Sequence, residues 1–236
     1  MHKIEIPGYA LDLLRTRGRL LTDIEPVDPA RTALLVVDMQ NAFVAEAGVL
    51  TITHARDIVQ PINQIAAALR TAGGKICWIQ TDFQHQAESW SNWFSKRLHS
   101  DASAAMISAL SPGNTGFEIF TEMDVKSSDW HCIKTRFSPF VKDASALEQQ
   151  LSMHAIDTLI VTGTVSNTCC ESTARDAMML NYRVIFVSDG NATRTDAEHN
   201  ATLGNMLQTF ADVARSTDII DQLRIGRSRK SATRGG

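Results

Sequence analysis

Cys169 stands after an apolar run, Leu159-Ile160-Val161, and inside the polar stretch Thr168-Cys169-Cys170-Glu171. The T-x-x-E spacing is that of a capping box, with Thr168 as N-cap and Glu171 as its reciprocal partner. Cys169 is then expected as the first helical residue, where free backbone N–H groups and the helix dipole favour an anion. A thiol held there is expected to have a lowered pKa and a larger share of reactive thiolate. A cysteine nucleophile also needs a base for its proton, a cation beside its thiolate and donors for a developing oxyanion. Asp38, at the end of the apolar run 32–37, can be the base and later return the proton to a leaving amine. Lys134, at the end of the run 130–134, can stabilise both the carboxylate and the thiolate, because an opposite charge nearby shifts a pKa by roughly 1–3 units. The turn Thr162-Gly163-Thr164-Val165 offers N–H groups to an oxyanion. Such a set suits acyl transfer to water from an amide or ureide. The plain alternatives are a small buried thiol, a loop carboxylate and a solvated lysine, and it is the three together at matching strand ends that argue for chemistry.

The matching ends follow from the elements that carry these residues. TALLVV (32–37), ICWIQT (76–81), WHCIK (130–134), Leu159-Ile160-Val161 and Val184-Ile185-Phe186-Val187 read as strands, the near-continuous apolar runs being those of strands buried on both faces. A short sixth strand is expected over 213–216. Between them, 57–72, 144–153 and 195–210 show helical spacing or caps, with Gly73-Gly74 stopping the first and a second capping box, Thr195 to Glu198, opening the last. A last helical turn is expected over 218–223. Alternation of this kind predicts an α/β fold of three αβα layers, a Rossmann-like parallel sheet with helices on both faces. Its ligand crevice lies outside the carboxyl ends of the strands, which is where Asp38, Lys134 and Cys169 fall.

Composition narrows the function classes. The chain has 236 residues, 44% hydrophobic and 21% charged, with a net charge of −3. Such a balance argues against electrostatic binding of nucleic acid or membrane surfaces. There is no signal-like leader and no run of about 18 apolar residues. Four cysteines, two of them adjacent, form no disulfide framework, so a reduced, cytoplasmic setting is expected. Residues 1–30 read as an N-terminal arm, 31–224 as one catalytic domain and 225–236 as a basic flexible tail. The irregular stretch 82–126, rich in aromatics and amides, is expected to be a lid or binding loop.

Three motifs carry a resemblance. Ala33-Leu34-Leu35-Val36-Val37-Asp38-Met39-Gln40-Asn41, Ile133-Lys134-Thr135-Arg136-Phe137 and Val161-Thr162-Gly163-Thr164-Val165-Ser166-Asn167-Thr168-Cys169 resemble the isochorismatase-like cysteine hydrolases, in family order and spacing. The resemblance implies a six-stranded parallel sheet and a catalytic triad of Asp38, Lys134 and Cys169. It further implies a cis peptide between Thr164 and Val165, an oxyanion hole from the backbone amides of Val165 and Cys169, and a homodimer or homotetramer. True isochorismatases lack the cysteine, so Cys169 argues against vinyl-ether hydrolysis. Nicotinamidases carry a metal-binding Asp-x-His after the second strand, whereas this chain reads Asp82-Phe83-Gln84, so no metal or other cofactor is expected. His85, His99, His131, His154 and His199 show no mutual metal spacing in the sequence.

The texture is nearest that of the ureidoacrylate amidohydrolases, through the Val-Val-Asp-Met-Gln-Asn start, Asn92-Trp93-Phe94 and the Thr-Gly-x-x-x-Asn-x-Cys-x-Glu-Ser-Thr helix entry. Cys170 and much of 82–126 depart from them. The expected reaction is metal-independent hydrolysis of a C–N amide bond in a small ureide, carbamoyl or amide compound, through a thioester acyl-enzyme. Asn41, Phe43, Asn92, Trp93, Phe137 and Phe140 are the expected substrate contacts. The alternatives are a nicotinamidase-like deamidase and a catalytically idle, oligomeric binding protein.

Overall fold

In the computed structural model, which describes residues 1–233 apart from the side chains of 225–233, six strands form one sheet: β1 (Thr32–Val37), β2 (Lys75–Thr81), β3 (Trp130–Lys134), β4 (Thr158–Thr164), β5 (Arg183–Ala192) and β6 (Asp212–Ala214). All neighbours are parallel, in the order β3-β2-β1-β4-β5-β6. The helices are α1 (Gly8–Thr16), α2 (Asn41–Val44), α3 (Val59–Ala72), α4 (Ser91–Phe94), α5 (Ser100–Ala109), α6 (Leu147–Met153), α7 (Glu171–Met179), α8 (Asp196–Asn205) and α9 (Ser216–Thr233). None of the described helices is long and apolar enough to cross a membrane. Of the expected flexible tail, 225–236, the backbone of 225–233 continues α9, and 234–236 lie outside the described residues.

Successive strand residues point to opposite faces, so the central strands feed two separate cores. Leu34, Val36, Trp78, Ile160 and Ile185 pack with Ile62, Ile65 and Leu69 of α3 and Ile219 and Leu223 of α9. Leu35, Val37, Ile79, Val161 and Phe186 pack on the other face with Leu147 and Leu151 of α6, Ala174 and Ala177 of α7 and Leu203 of α8. The arm joins this second core through Ala10 and Leu14 of α1, both buried. A sheet covered on both sides leaves its strand ends as the place where polar side chains can gather.

The strand order reverses direction between β1 and β4, the topological switch point at which doubly wound sheets open a crevice. There the two strands run unusually close. Gly163 pairs with Val37, has a φ of 117°, and a Cβ added to it would lie 2.0 Å from the Val37 carbonyl oxygen. Only glycine fits, on both steric and conformational grounds. Asp38, next along, has a φ of 51°, a left-handed conformation that aspartate adopts more readily than most residues. It turns the chain out of the sheet as the strand ends. The peptide between Thr164 and Val165 is cis, at the position the resemblance implies.

Gly163→Ala is therefore expected to destabilise the fold by on the order of 4 kcal/mol or more, because backbone meets the new methyl. Urea unfolding of the two proteins measures this, and a variant with an unchanged midpoint would contradict the account.

Candidate active site

Four neighbouring strands each deliver one polar side chain to the same edge: Asp38 after β1, Thr81 ending β2, Lys134 ending β3 and Cys169 after β4. Asp38 and Lys134 are fully buried and Cys169 is 6% exposed. Lys134 Nζ donates to Thr81 Oγ1 at 2.5 Å, to the Arg136 carbonyl at 3.2 Å and to Cys169 Sγ at 3.5 Å. An ammonium has three N–H donors, and these contacts use them. Asp38 Oδ2 lies 2.9 Å from the same nitrogen as an ion pair, yet accepts no hydrogen bond. Asp38 Oδ1 accepts from the Thr81 hydroxyl at 2.8 Å. Thr81 thus links acid and cation, and it is itself fixed by Gln40, whose side chain accepts from Thr81 N and donates to Thr81 O.

Burial sets the protonation pattern. Burial alone would lower the Lys134 pKa, but the charges of Asp38 and Cys169 leave it raised, so the ammonium persists. Burial pushes the Cys169 thiol up to about 12; Lys134 pulls it down, and the Asp38 carboxylate pushes it up again. The expected low-pKa thiolate is therefore corrected. Desolvation outweighs the lysine and the helix end, and the resting site holds a neutral thiol beside the lysine's ammonium.

The expected capping box is corrected as well. The helical path begins at Ser166, with a π-helical turn over Ser166–Cys170 that leads into α7, so Cys169 sits a turn inside it and Thr168 makes no cap bond. Two side-chain ties wind the backbone early. Ser166 Oγ meets His199 Nδ1 at 2.9 Å, and Asn167 Oδ1 accepts from Thr193 Oγ1 at 2.9 Å. Glu171 turns away to Arg175, Thr202 and Asn205. The capping box at Thr195 and Glu198 does form.

His199 is fully buried, and its Nε2 lies 2.8 Å from the Ser188 carbonyl. That nitrogen must donate, so Nδ1 accepts the Ser166 hydroxyl proton. His2 stacks on His199 at 4.4 Å between centroids. The second residue of the arm thereby braces the turn that carries Cys169. The sequence reading found Cys169 but missed Thr81, Ser166 and His199. Thr81 was legible as the last residue of a strand neighbouring Asp38, whereas His199 lies on a helix with nothing local to mark it.

The remaining expected contacts scatter. Trp93 and Phe137 meet at 5.1 Å between centroids, within an aromatic group that includes Phe83, Trp90 and Phe94. Phe43 faces the core. The Asn41 side chain donates to the Thr115 carbonyl, Asn92 is exposed, and Phe140 packs near Tyr182. Among the described residues, the ligand atoms of His2, His54 and Asp196 lie within 4.8 Å of one another. His2 Nε2 accepts from Thr193 N, so its Nδ1 carries the proton given to Asp196 and has no lone pair for a cation.

The isochorismatase-domain family model matches residues 32–218. Ureidoacrylate amidohydrolase RutB of Caulobacter segnis is 28% identical over 209 residues, spanning 82% of this chain and 86% of that protein. A cysteine hydrolase from Pseudomonas syringae superposes with a TM-score of 0.78 at 27% identity, covering 86% of this chain and 97% of the other. N-carbamoylsarcosine amidase from Thermoplasma acidophilum gives a TM-score of 0.61 at 26% identity, covering 79% and 96%.

The brace makes stability depend on pH. Burial, with the charge of His2 acting in the same direction, holds the His199 imidazole at about 4 against an ordinary 6.5. A depressed histidine means that the unfolded chain binds the extra proton between those values. Stability is then full above pH 6.5 and is lost on acidification toward 4, by about 3 kcal/mol for this group. His2, lowered mainly by burial, adds in the same sense, partly opposed by its Asp196 bond. Unfolding free energies measured from pH 7 to pH 4.5 should fall along this limb, and His199→Gln should flatten it; an equally steep limb in the variant would refute the assignment.

Proposed function

The chain belongs to the isochorismatase family, and from that premise we propose that it is a metal-independent cysteine amidohydrolase acting on a small ureide, carbamoyl or amide compound. One observation carries the reading: a single buried ammonium, Lys134, touches both the Asp38 carboxylate and the Cys169 sulfur. The ureidoacrylate amidohydrolase and N-carbamoylsarcosine amidase likenesses support the same reaction class.

The chemistry follows from the resting charges. A neutral thiol beside a carboxylate needs only a short proton transfer to become a nucleophile. Asp38 Oδ2, without a hydrogen bond of its own, takes the thiol proton as Sγ attacks the carbonyl carbon. Lys134 changes partner smoothly, from carboxylate to thiolate, so no net charge is created in the buried site. The carbonyl π pair moves onto oxygen, which is held by the Val165 and Cys169 amides. Among the described residues the N–H of Val165 has no hydrogen-bond acceptor, which suits that role. The tetrahedral species collapses, the C–N bond breaks, and Asp38 returns the proton to the departing ammonia or amine. Water then attacks the thioester, giving its proton to Asp38, and the expelled thiolate recovers that proton. Assembly as a homodimer or homotetramer belongs to the same reading.

Cys169→Ala and Cys169→Ser are expected to abolish ammonia release with the fold intact by circular dichroism. Asp38→Asn and Lys134→Met should each cost several orders of magnitude in kcat, and should not add to Cys169→Ala, because the three act as a unit. Substantial turnover by Cys169→Ala sinks the mechanism, and loss of rate on chelation sinks metal independence. The raised thiol pKa also predicts slow alkylation of the free enzyme by iodoacetamide at pH 8, read at Cys169 by mass spectrometry; fast labelling there would count against a neutral resting thiol.

A further inference from the structure

We propose that Thr81 is a positioning residue whose hydroxyl draws the Lys134 ammonium away from Asp38 Oδ2, and so keeps that oxygen open for the Cys169 proton. The inference rests on the amidohydrolase reading above and names what prepares its base.

Lys134 Nζ and Asp38 Oδ2 stand 2.9 Å apart, and both side chains are fully buried. At that distance an ammonium and a carboxyl oxygen ordinarily form a charge-assisted hydrogen bond. Here they do not. Oδ2 is sealed from solvent and has no hydrogen-bond partner among the described residues. The lysine has only three N–H groups, and they go to Thr81 Oγ1 at 2.5 Å, the Arg136 carbonyl at 3.2 Å and Cys169 Sγ at 3.5 Å. The shortest of the three is the bond to Thr81. Thr81 in turn donates its hydroxyl hydrogen to Asp38 Oδ1 at 2.8 Å. The carboxyl group is thus held by its other oxygen, with the threonine as the hydrogen-bonded link to the cation. A proton placed on Oδ1 would leave the buried Thr81 hydroxyl without an acceptor, which favours Oδ2 as its seat.

The hydroxyl is aimed by a local substitution in the sheet. β1 and β2 pair as far as Val37 and Ile79, and Asp38 N still donates to the Ile79 carbonyl. Asp38 then turns into left-handed backbone, with a φ of 51°, and the Thr81 backbone is left without β1 beside it. The buried Gln40 amide takes the strand's place. Its Oε1 accepts from Thr81 N at 2.9 Å, and its Nε2 donates to the Thr81 carbonyl at 3.2 Å. On the other side Thr81 pairs with Lys134 itself. The hydroxyl is therefore fixed between the two groups it separates. Without it, one lysine N–H loses its acceptor while Oδ2, lacking a partner, lies 2.9 Å away. Lys134 then caps the oxygen that must receive the thiol proton.

Thr81→Val keeps the shape and removes the hydroxyl, whereas Thr81→Ser keeps the hydroxyl. Iodoacetamide labelling of Cys169 at pH 8, followed by mass spectrometry, requires loss of the same thiol proton and no knowledge of the substrate. Thr81→Val should label more slowly than wild type by about tenfold or more, the worth of a hydrogen bond to a charged group, and Thr81→Ser should stay within about threefold. A purely structural threonine predicts the reverse, because a loosened site exposes the thiol and labels faster. Equal or faster labelling of Thr81→Val, or equal slowing in Thr81→Ser, overturns the proposal. Gln40→Met, which keeps the hydroxyl but releases its aim, decides the matter if Thr81→Val does not fold: slower labelling upholds the proposal, and unchanged or faster labelling overturns it. For any compound from which the wild type releases ammonia, Thr81→Val should lower kcat by a similar factor and leave KM within about threefold; a loss confined to KM overturns the proposal. If the wild type releases no ammonia from amides or ureides, the amidohydrolase reading fails, and labelling still decides the role of Thr81.

Discussion

Two opposite charges at full burial, Lys134 and Asp38, set the terms for everything at this sheet edge. Desolvating an ammonium and a carboxylate costs several kcal/mol per ion, and their attraction offsets that only with good geometry and further hydrogen bonds. The structure meets the condition in detail. Thr81 accepts from the lysine and donates to the aspartate, and the Arg136 carbonyl takes another lysine proton. Each of these partners sits at the end of β2 or just beyond β3, so the pair can be satisfied only if β1, β2 and β3 are in register. Sheet register and site electrostatics are one constraint. A slip of one residue would send Lys134 or Thr81 to the wrong face and leave a charge stranded.

The nucleophile is governed by the same burial. A helix end and a lysine would ordinarily hold a thiolate, but complete burial and a neighbouring carboxylate outweigh them. The site therefore stores its proton on sulfur, beside the Asp38 side chain. Such an arrangement protects a cysteine from oxidation and alkylation at rest, since the thiolate is the reactive form. It also demands that Cys169 be held still, because proton transfer and attack both depend on position. Holding falls to side chains outside the triad: Ser166 to His199, Asn167 to Thr193, and His2 stacked behind. The arm is thus part of the machinery that supports the turn.

Much of this was legible in the sequence, for identifiable reasons. β1 and β3 match the expected residues, because strands buried on both faces leave unbroken apolar runs, and Asp38 and Lys134 mark the ends of those runs. The parallel order follows from alternation with helices, and with it the gathering of Asp38, Lys134 and Cys169 at one edge. The failures have physical causes too. T-x-x-E at Thr168 is a local signal, and it was overruled by tertiary bonds from Ser166 and Asn167 that start the helical path early. The thiol's pKa was argued from the helix dipole and the neighbouring lysine, with no means of knowing the depth of burial. Phe43 lies in one core and Phe140 packs against the other, among apolar neighbours.

The strand ends and the long excursion beside them are built from different material here, though they are joined at defined points. The reaction residues stand on strand ends, whose positions the sheet dictates. The stretch 82–126 contributes no strand, and its own helices, α4 and α5, are short. What fixes it is a set of latches to the catalytic elements: Gln40 donates to the Phe117 carbonyl, Asn41 to that of Thr115, and Asp82 N to the carbonyl of Lys134. The Arg136 guanidinium closes the other side, on Gln86 and Ser89. Because the latches reach mostly to backbone carbonyls, they tolerate changes in the side chains between them. The aromatic group can therefore vary in shape and polarity while Asp38, Lys134 and Cys169 stay within bonding distance. That separation leaves the sheet edge fixed while the aromatic group of Trp90, Trp93 and Phe137 packs on its own terms beside it.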